Sequence, residues 1–338
     1  MVEVCLAPRQ GQKIIKAVGI FSGGLDSILA VKVLQQQGIE LLCVTFVTPF
    51  FSATSSLCQK DRLGIHLEIH DITTLHMKML KNPPHGYGSN INPCIDCHAL
   101  MFRVAGQIME REGAQFLFSG EVLGERPFSQ TKGALRVVAR ESGYKDLILR
   151  PLSAKLLDET TPEKEGWVDR SQLLDLQGRS RKRQMDLAKH FGIDEYPAPA
   201  GGCKLTEPHF SKRLRDLLLY DPDPSRRDLE LLSLGRHLRW NAEAKIIIGR
   251  NHDENERIKA LCDPEDILLW VKGVPGPTVL IRTVHPKDVL LFAARAAAHY
   301  SDVPPGDPCT VKYSSTSEEG TLGPVTACPA DEIHKYIL

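Results

Sequence analysis

Hydrophobic and polar positions follow two rhythms along the first half of the chain. Short apolar runs, IIKAVGIF (14–21), LLCVTFV (41–47), IHLEIHDI (65–72), AQFLFSG (114–120) and LILRPL (147–152), have the length and composition of buried strands. Between them, apolar residues recur at helical spacing. Ile28, Leu29, Val31, Val33 and Leu34 form one such face, stopped at Gly38, and a polar, Ser-rich helix is expected over 52–63. A long helix from about Ile95 to Gly113 carries Leu100, Met101, Val104, Ala105, Ile108 and Met109. Strands alternating with helices predict an α/β fold, a doubly wound and mostly parallel sheet over residues 12–155. Residues 156–235 read as a charged helical connection, with turn clusters at 196–202 and 221–225. From about Gly235 the rhythm changes again. IIIG (246–249), DILLWVKGV (266–274), TVLIRTV (278–284) and CTVKYS (309–314) read as strands around one helical run, VLLFAARAAAHY (289–300). That order predicts a separate α+β domain over 236–338.

Composition narrows the class. The chain has 338 residues, 42% hydrophobic and 25% charged, which excludes collagenous, low-complexity and disordered classes. No apolar run approaches the length of a membrane span, and no basic segment followed by an apolar stretch opens the chain. A cytoplasmic protein without a membrane partner is expected. Nine cysteines, an odd number in a long chain, point to metal or catalytic roles more than to a disulfide scaffold. The 42 Lys and Arg balance 42 Asp and Glu, so a polyanionic partner must be met by a local patch.

The first strand runs into Ser22-Gly23-Gly24-Leu25-Asp26-Ser27 and then a helix. Glycines let backbone approach an anion closely, and the N–H groups at a helix start point toward it. The Ser22 and Ser27 hydroxyls add donors, and Asp26 can hold a phosphate-bound Mg²⁺. The loop is neither the Gly-Lys-Ser/Thr type nor GxGxxG. The bland alternative is a tight turn with an Asp cap.

SGGLDS resembles the PP-loop of ATP pyrophosphatases, whose fold is adenine nucleotide alpha hydrolase-like. That resemblance implies cleavage of ATP between its α- and β-phosphates, with AMP left on a substrate oxygen. With NPCIDCH (92–98), GEVLGERPFSQT (120–131) and PAGGCKLT (199–206), the chain over about 12–215 resembles PP-loop tRNA thiolases, especially the 4-thiouridine synthetase branch. There a GE-x-LGQ-x-x-SQT stretch lines the nucleotide site, which implicates Gly120, Glu121 and Gly124. Glu125 departs from the pattern, an anion where the branch has Gln. About a dozen residues precede the first strand, so that branch's leading RNA-binding domain is expected to be missing, as is its rhodanese-type domain.

Cys94 and Cys97 form a C-x-x-C at a helix start, and Cys203 follows two glycines. Three thiolates can hold three irons of a [4Fe–4S] cluster and leave the fourth iron open. The resemblance implies the same arrangement, as used by Fe–S-dependent thiolases. A persulfide on one Cys, resolved by another, and a zinc site completed by His98 remain alternatives. Cys43, Cys262 and Cys328 read as packed small residues, and Cys5, Cys58 and Cys309 carry no signal.

Basic residues 126, 132, 136, 140, 145, 150 and 155 form one patch. Arg179, Arg181, Lys182 and Arg183 form another, expected to meet RNA phosphates, and Lys212, Arg213 and Arg215 follow. A solvated face is the competing explanation for each run. Residues 236–338 resemble the RNA-binding domain of NFACT-type ribosome quality-control proteins, through IIIGRNHDENERI (246–258), DILLWVKGVPGPTVLIR (266–282) and AARAAAHYS (293–301). Trp270 would stand in the aromatic-bearing strand near the Pro275-Gly276 turn, although a strand tryptophan is more often core.

The expected activity is that of an ATP-dependent tRNA sulfurtransferase. A uridine carbonyl oxygen attacks ATP, with Arg126 and Lys132 as candidates for stabilising the developing charge and Asp26, Cys94, Cys97 and Cys203 as the reactive set. The expected cofactors are ATP, Mg²⁺ and a [4Fe–4S] cluster, and the expected partners are tRNA and a sulfur donor, either sulfide or a desulfurase-derived persulfide. 4-Thiouridine is favoured over 2-thiouridine. The alternatives are a non-catalytic RNA- or ribosome-associated protein and an enzyme that adenylates a small molecule.

Overall fold

A computed structural model of the chain describes residues 14–198, 203–282, 286–316 and 318–338. The chain divides into two compact units, residues 1–206 and 207–338. The stretch expected to be one connection, 156–235, is therefore split between the two. Its first part turns back onto the first unit: Leu173, Leu176 and Ala188 are buried in the same core as Ala17, Leu25 and Ile28.

The first unit holds β1 (Lys16–Ile20), α1 (Leu25–Gln35), β2 (Glu40–Val47), α2 (Thr54–Leu63), β3 (His66–Asp71), α3 (Thr73–Lys81), α4 (Cys94–Arg111), β4 (Phe116–Ser119), α5 (Lys132–Ser142), β5 (Ile148–Leu149), α6 (Thr161–Lys164) and α7 (Lys182–His190). Its strands form a parallel sheet in the order β3-β2-β1-β4-β5. Strand residues alternate between two buried faces. Ala17, Cys43, Phe116, Phe118 and Leu149 meet α1 on one side. Val18, Leu42, Val44, Leu117 and Ile148 meet α4 and α5 on the other. Burial on both faces is why these strands read as continuous apolar runs.

Strand order reverses at β1, so the crevice beyond the carboxyl ends of β1 and β4 is the place where such sheets bind ligands. Gly120, just after β4, runs against the start of α1. A Cβ there would lie 2.5 Å from the Asp26 carbonyl carbon and the Ser27 nitrogen. The expected strand 147–152 shrinks to Ile148–Leu149, because Arg150 turns inward to a buried carboxylate and Pro151 cannot continue the ladder. Helix α5 was hidden by its charges, although Thr131 caps it and Ala134, Leu135, Val138 and Ala139 are buried along it.

The second unit holds α8 (Pro208–Tyr220), α9 (Arg226–Leu231), β6 (Arg236–Arg239), β7 (Lys245–Ile248), α10 (His252–Ala260), β8 (Ile267–Val271), β9 (Val279–Arg282), α11 (Pro286–His299), β10 (Cys309–Ser314), β11 (Glu319–Val325) and α12 (Ala330–His334). Its strands make an antiparallel sheet, β11-β10-β8-β9-β7-β6, with Phe292, Ala293, Ala296 and Ala297 of α11 in the core beneath it. Asp216 of α8 binds Arg239 at 3.0 and 2.7 Å and Lys245 at 3.3 Å, which ties this helix to the β6–β7 hairpin. Trp270 is not core. It is 38% exposed on the outer face of β8, in register with Lys312 of β10.

Candidate active site

The glycine loop is shaped as a cradle. Gly23 takes a φ of +73°, and a Cβ on it would come within 2.3 Å of the Ser55 backbone, so only glycine fits. Gly24 is the N-cap of α1 with no side chain bonded to the first-turn amides, and the nearest atom to an added Cβ would be the Ser22 hydroxyl at 3.5 Å. Ser27 Oγ donates to the Gly24 carbonyl at 2.8 Å, fixing the turn from inside. The first-turn amides are thus left to an anion.

Asp26 stands at this mouth beside one other carboxylate, Glu125, and two guanidiniums, Arg126 and Arg181. Burial raises its pKa, against the opposing pull of Arg181, the Gln184 amide and Arg126. Burial also raises the pKa of Glu125, with the adjacent Asp26 charge adding to it and Arg126 and Arg181 opposing. Asp26 Oδ1 is buried with no hydrogen-bond partner. An orphaned carboxylate oxygen beside a second anion fits a divalent cation, which relieves both charges at once.

The thiols gather around the start of α4. Cys97 is 8% exposed. Burial drives its thiol well above the usual range, and Cys203, Cys94 and Asp96 add to the rise. Cys97 therefore lies within electrostatic reach of both Cys94 and Cys203. Burial also raises Cys94, but three groups ease its ionisation, the Asn92 amide, Arg126 and the Ser129 hydroxyl. Asn92 Nδ2 donates to Cys94 Sγ at 2.8 Å. Arg126 thus acts on both Asp26 and Cys94.

Irregular backbone holds this arrangement. His85 donates its backbone N–H to Asp96 Oδ2 at 3.0 Å, and its ring Nδ1 lies 2.7 Å from Oδ1. Asn90 Nδ2 donates to the Thr206 carbonyl at 2.8 Å, and Lys204 N–H donates to the Phe50 carbonyl at 3.2 Å. Those bonds fix the segment that follows Cys203. The Gly201–Gly202 turn before it lies outside the described residues, as does Cys5. Among the described residues no three His, Cys, Asp or Glu converge on one point as a single metal ion requires. His98 Nδ1 lies 2.7 Å from Glu121, which leaves Nε2 as its other ring nitrogen. A cluster takes each thiolate on a different iron, so thiols that do not meet at one point can hold it.

Several expected residues have other work. Glu121 is not exposed to a nucleotide. It is buried and held by Arg150 at 2.8 Å, His98 and Ser119. Burial alone would raise its pKa, but Arg150 and His98 overcome this and hold it at about 2. Gly120 matters for its missing side chain, and Gly124, with φ +75°, serves a turn. Lys132 pairs with Asp158 at 3.4 Å, alongside Arg136 at 2.7 Å, and is drawn away from the chemistry. Arg183 pairs with Asp175, while Arg179 and Lys182 are exposed. Arg181 is half-buried, and its charge acts on Asp26 and Glu125. Its role was illegible because nothing in GRSRKRQ says which arginine turns inward. Asn92, Ser129 and Gln184 were missed for the same reason. In the second unit Trp270, His252, Lys259 and the Pro275-Gly276 turn line a cavity of about 560 Å³.

Comparison with known proteins divides the chain in the same way. Residues 13–158 match the family model described as thiamine biosynthesis protein (ThiI), and residues 235–337 match NFACT protein RNA binding domain. The PP-loop domain is 27% identical over 146 residues to a probable tRNA sulfurtransferase of Oceanobacillus iheyensis, covering 40% of this chain and 34% of that protein. A probable tRNA sulfurtransferase of Thermotoga maritima is 32% identical over 121 residues, covering 32% of this chain and 30% of the relative. The chain spans about a third of the length of the curated relatives it matches. Among solved structures, a 4-thiouridine synthetase–RNA complex with bound ATP is 22% identical, with TM-score 0.34, covering 64% of this chain and 52% of that one. The PP-loop assignment therefore rests on the sequence match and on the parallel sheet.

The Glu121–Arg150 pair yields a test on the PP-loop domain. A carboxylate held below its ordinary value of 4.5 stabilises the fold at neutral pH, and the contribution is lost as pH falls toward about 2. Glu121→Gln, which leaves Arg150 buried without a counter-charge, is expected to cost about 3–5 kcal/mol at pH 7. Denaturant titrations at several pH values should show that penalty shrinking below pH about 4.5. An equal penalty at pH 7 and pH 3 would contradict the pairing.

Proposed function

We propose that this protein is an ATP-dependent tRNA sulfurtransferase that adenylates a uridine carbonyl and replaces its oxygen with sulfur, giving 4-thiouridine in preference to 2-thiouridine. The observation that carries the reading is the glycine cradle with its orphaned Asp26 oxygen, in the same unit as a Cys94 thiol held by the Asn92 amide. Nucleotide activation and sulfur chemistry need to share one small space, and the Arg126 charge acts on both groups.

The α1 amides and the Ser22 hydroxyl hold the phosphates of ATP, Ser27 braces the turn from within, and Asp26 with Glu125 holds Mg²⁺. The uridine oxygen attacks the α-phosphate and pyrophosphate leaves. Arg126 and Arg181 neutralise charge that moves onto the departing oxygens. A hydrosulfide then adds at the activated carbon and AMP leaves, so one C–O bond is exchanged for a C–S bond. When bound to Cys94, Cys97 and Cys203, a [4Fe–4S] cluster supplies an iron without a protein ligand, at which sulfide can be held. Asn92, Ser129 and Arg126 favour the Cys94 thiolate that such a group requires. Sulfide serves as donor directly, or a desulfurase-derived persulfide does so when a second thiol attacks it, releasing hydrosulfide and leaving a disulfide. Arg179 and Lys182 meet the RNA backbone, and Trp270 with Lys312 offers an aromatic face beside a cation in the RNA-binding domain. No described helix is long and apolar enough to cross a membrane, and the cytoplasm suits a tRNA-modifying enzyme.

Two measurements test the reading. Wild-type protein with ATP is expected to release pyrophosphate only when tRNA is added. Arg181→Ala should slow that release by about a hundredfold while tRNA affinity stays within twofold, since one lost charge at the reacting phosphates costs about 3 kcal/mol. Normal release with weakened tRNA binding would return Arg181 to the RNA backbone. Protein purified without oxygen should carry iron and acid-labile sulfide that Cys203→Ala loses. Stoichiometric zinc without iron would sink the cluster.

A further inference from the structure

The segment between Glu121 and Thr131 carries a residue that the chemistry above does not use. Phe128 is 38% exposed. Single exposed aromatics are ordinary on protein surfaces, so position must decide what this one does. Two residues before it, Arg126 acts on Asp26 and Cys94; one residue after it, Ser129 is buried. The ring rests on Gly88, where an added Cβ would lie 2.9 Å from the nearest ring carbon. Gly88 N–H donates to the Asn92 carbonyl at 2.8 Å, and the Asn92 amide donates to Cys94 Sγ at 2.8 Å. One short support therefore carries both the ring and the sulfur, and it leaves part of the ring in solvent.

We propose that Phe128 is the stacking platform for the nucleobase whose carbonyl is thiolated. The inference rests on the thiolase reading and adds how the substrate base is held. A pyrimidine ring in a folded tRNA must leave its stack to reach the α-phosphate, at a cost of a few kcal/mol. One aromatic face returns about 1–3 kcal/mol of this, without reading sequence. Stacked on Phe128, the base lies beside the Cys94 thiol and within the span of Arg126. Both the adenylating and the sulfur-delivering groups then reach one carbonyl without the base being released between steps. Phe128 serves as a positioning residue that touches the substrate, and it takes no part in proton or group transfer.

The test uses the full chain with ATP and unmodified tRNA transcript, and reads tRNA-dependent pyrophosphate release with kcat and KM for each substrate. Phe128→Ala and Phe128→Leu should both lower release at subsaturating tRNA by about tenfold to a hundredfold, with KM for ATP within twofold of wild type. Phe128→Trp should remain within about threefold of wild type, since it keeps a face to stack on. Gly88→Ala leaves the phenylalanine in place but pushes its ring aside, and it should behave like Phe128→Ala while melting within a few degrees of wild type. Full activity in Phe128→Leu would overturn the proposal, because leucine fills the space above Gly88 without stacking. Equal loss in the alanine and tryptophan variants would overturn it as well. Absence of tRNA-dependent release in the wild type would instead overturn the thiolase reading on which the proposal rests.

Discussion

An irregular loop, residues 83–92, has neither ladder nor helix to satisfy its backbone, and the partners it finds decide what the first unit can do. His85 docks on Asp96 twice, Gly88 on the Asn92 carbonyl, Asn92 on Cys94 and Asn90 on the Thr206 carbonyl. Each neutral bond is worth only about 0.5–1.5 kcal/mol net, and those to a carboxylate about twice that. Their value is in what they join. Asp96 and Cys94 belong to α4, whereas Thr206 closes the segment that carries Cys203. Thiols more than a hundred residues apart in the chain are collected by a loop with no regular structure of its own.

Electrostatics at the neighbouring loop follows from the same crowding. Gly23 lies against the Ser55 backbone and Gly120 against the first turn of α1, which pulls the end of β4 close to the glycine loop. That closeness sets Glu125 beside Asp26, two carboxylates that resist ionising together. Arg126 and Arg181 offset part of the repulsion, and a cation with bound phosphates would offset the rest. The glutamate, where the related branch has glutamine, makes this mouth more demanding of positive charge. By contrast, Glu121, from the same stretch, is spent on holding Arg150 and His98 in the interior.

The sheet was legible because burial on both faces leaves continuous apolar runs such as LLCVTFV, and the glycine loop because its conformation admits few residues. Strand β6, RHLR, was not, because its arginines flank a buried His237 and Leu238 and break the alternation. Strand β11, EGTLGPV, escaped notice because most of its side chains are exposed and it holds Gly and Pro. At the site, the three cysteines could be named from spacing and resemblance. The division of labour among cations could not. Lys132 and Arg126 look alike in sequence, yet one meets Asp158 and the other faces the loop, and that difference arises from the turn at Gly124 and the cap at Thr131. The sequence left Trp270 open between an exposed face and the core, and the alternation in β8 decides it by turning the ring outward while Leu269 and Val271 point in.

The account stands on Cys94, Cys97 and Cys203 sharing one small volume beside the nucleotide loop. Mild oxidation of metal-free, full-length protein, followed by alkylation and peptide mapping, tests this directly. Convergence predicts a disulfide joining the peptide that bears Cys203 to the peptide that bears Cys94 and Cys97. A bond formed only between Cys94 and Cys97, with Cys203 recovered singly alkylated, would contradict it.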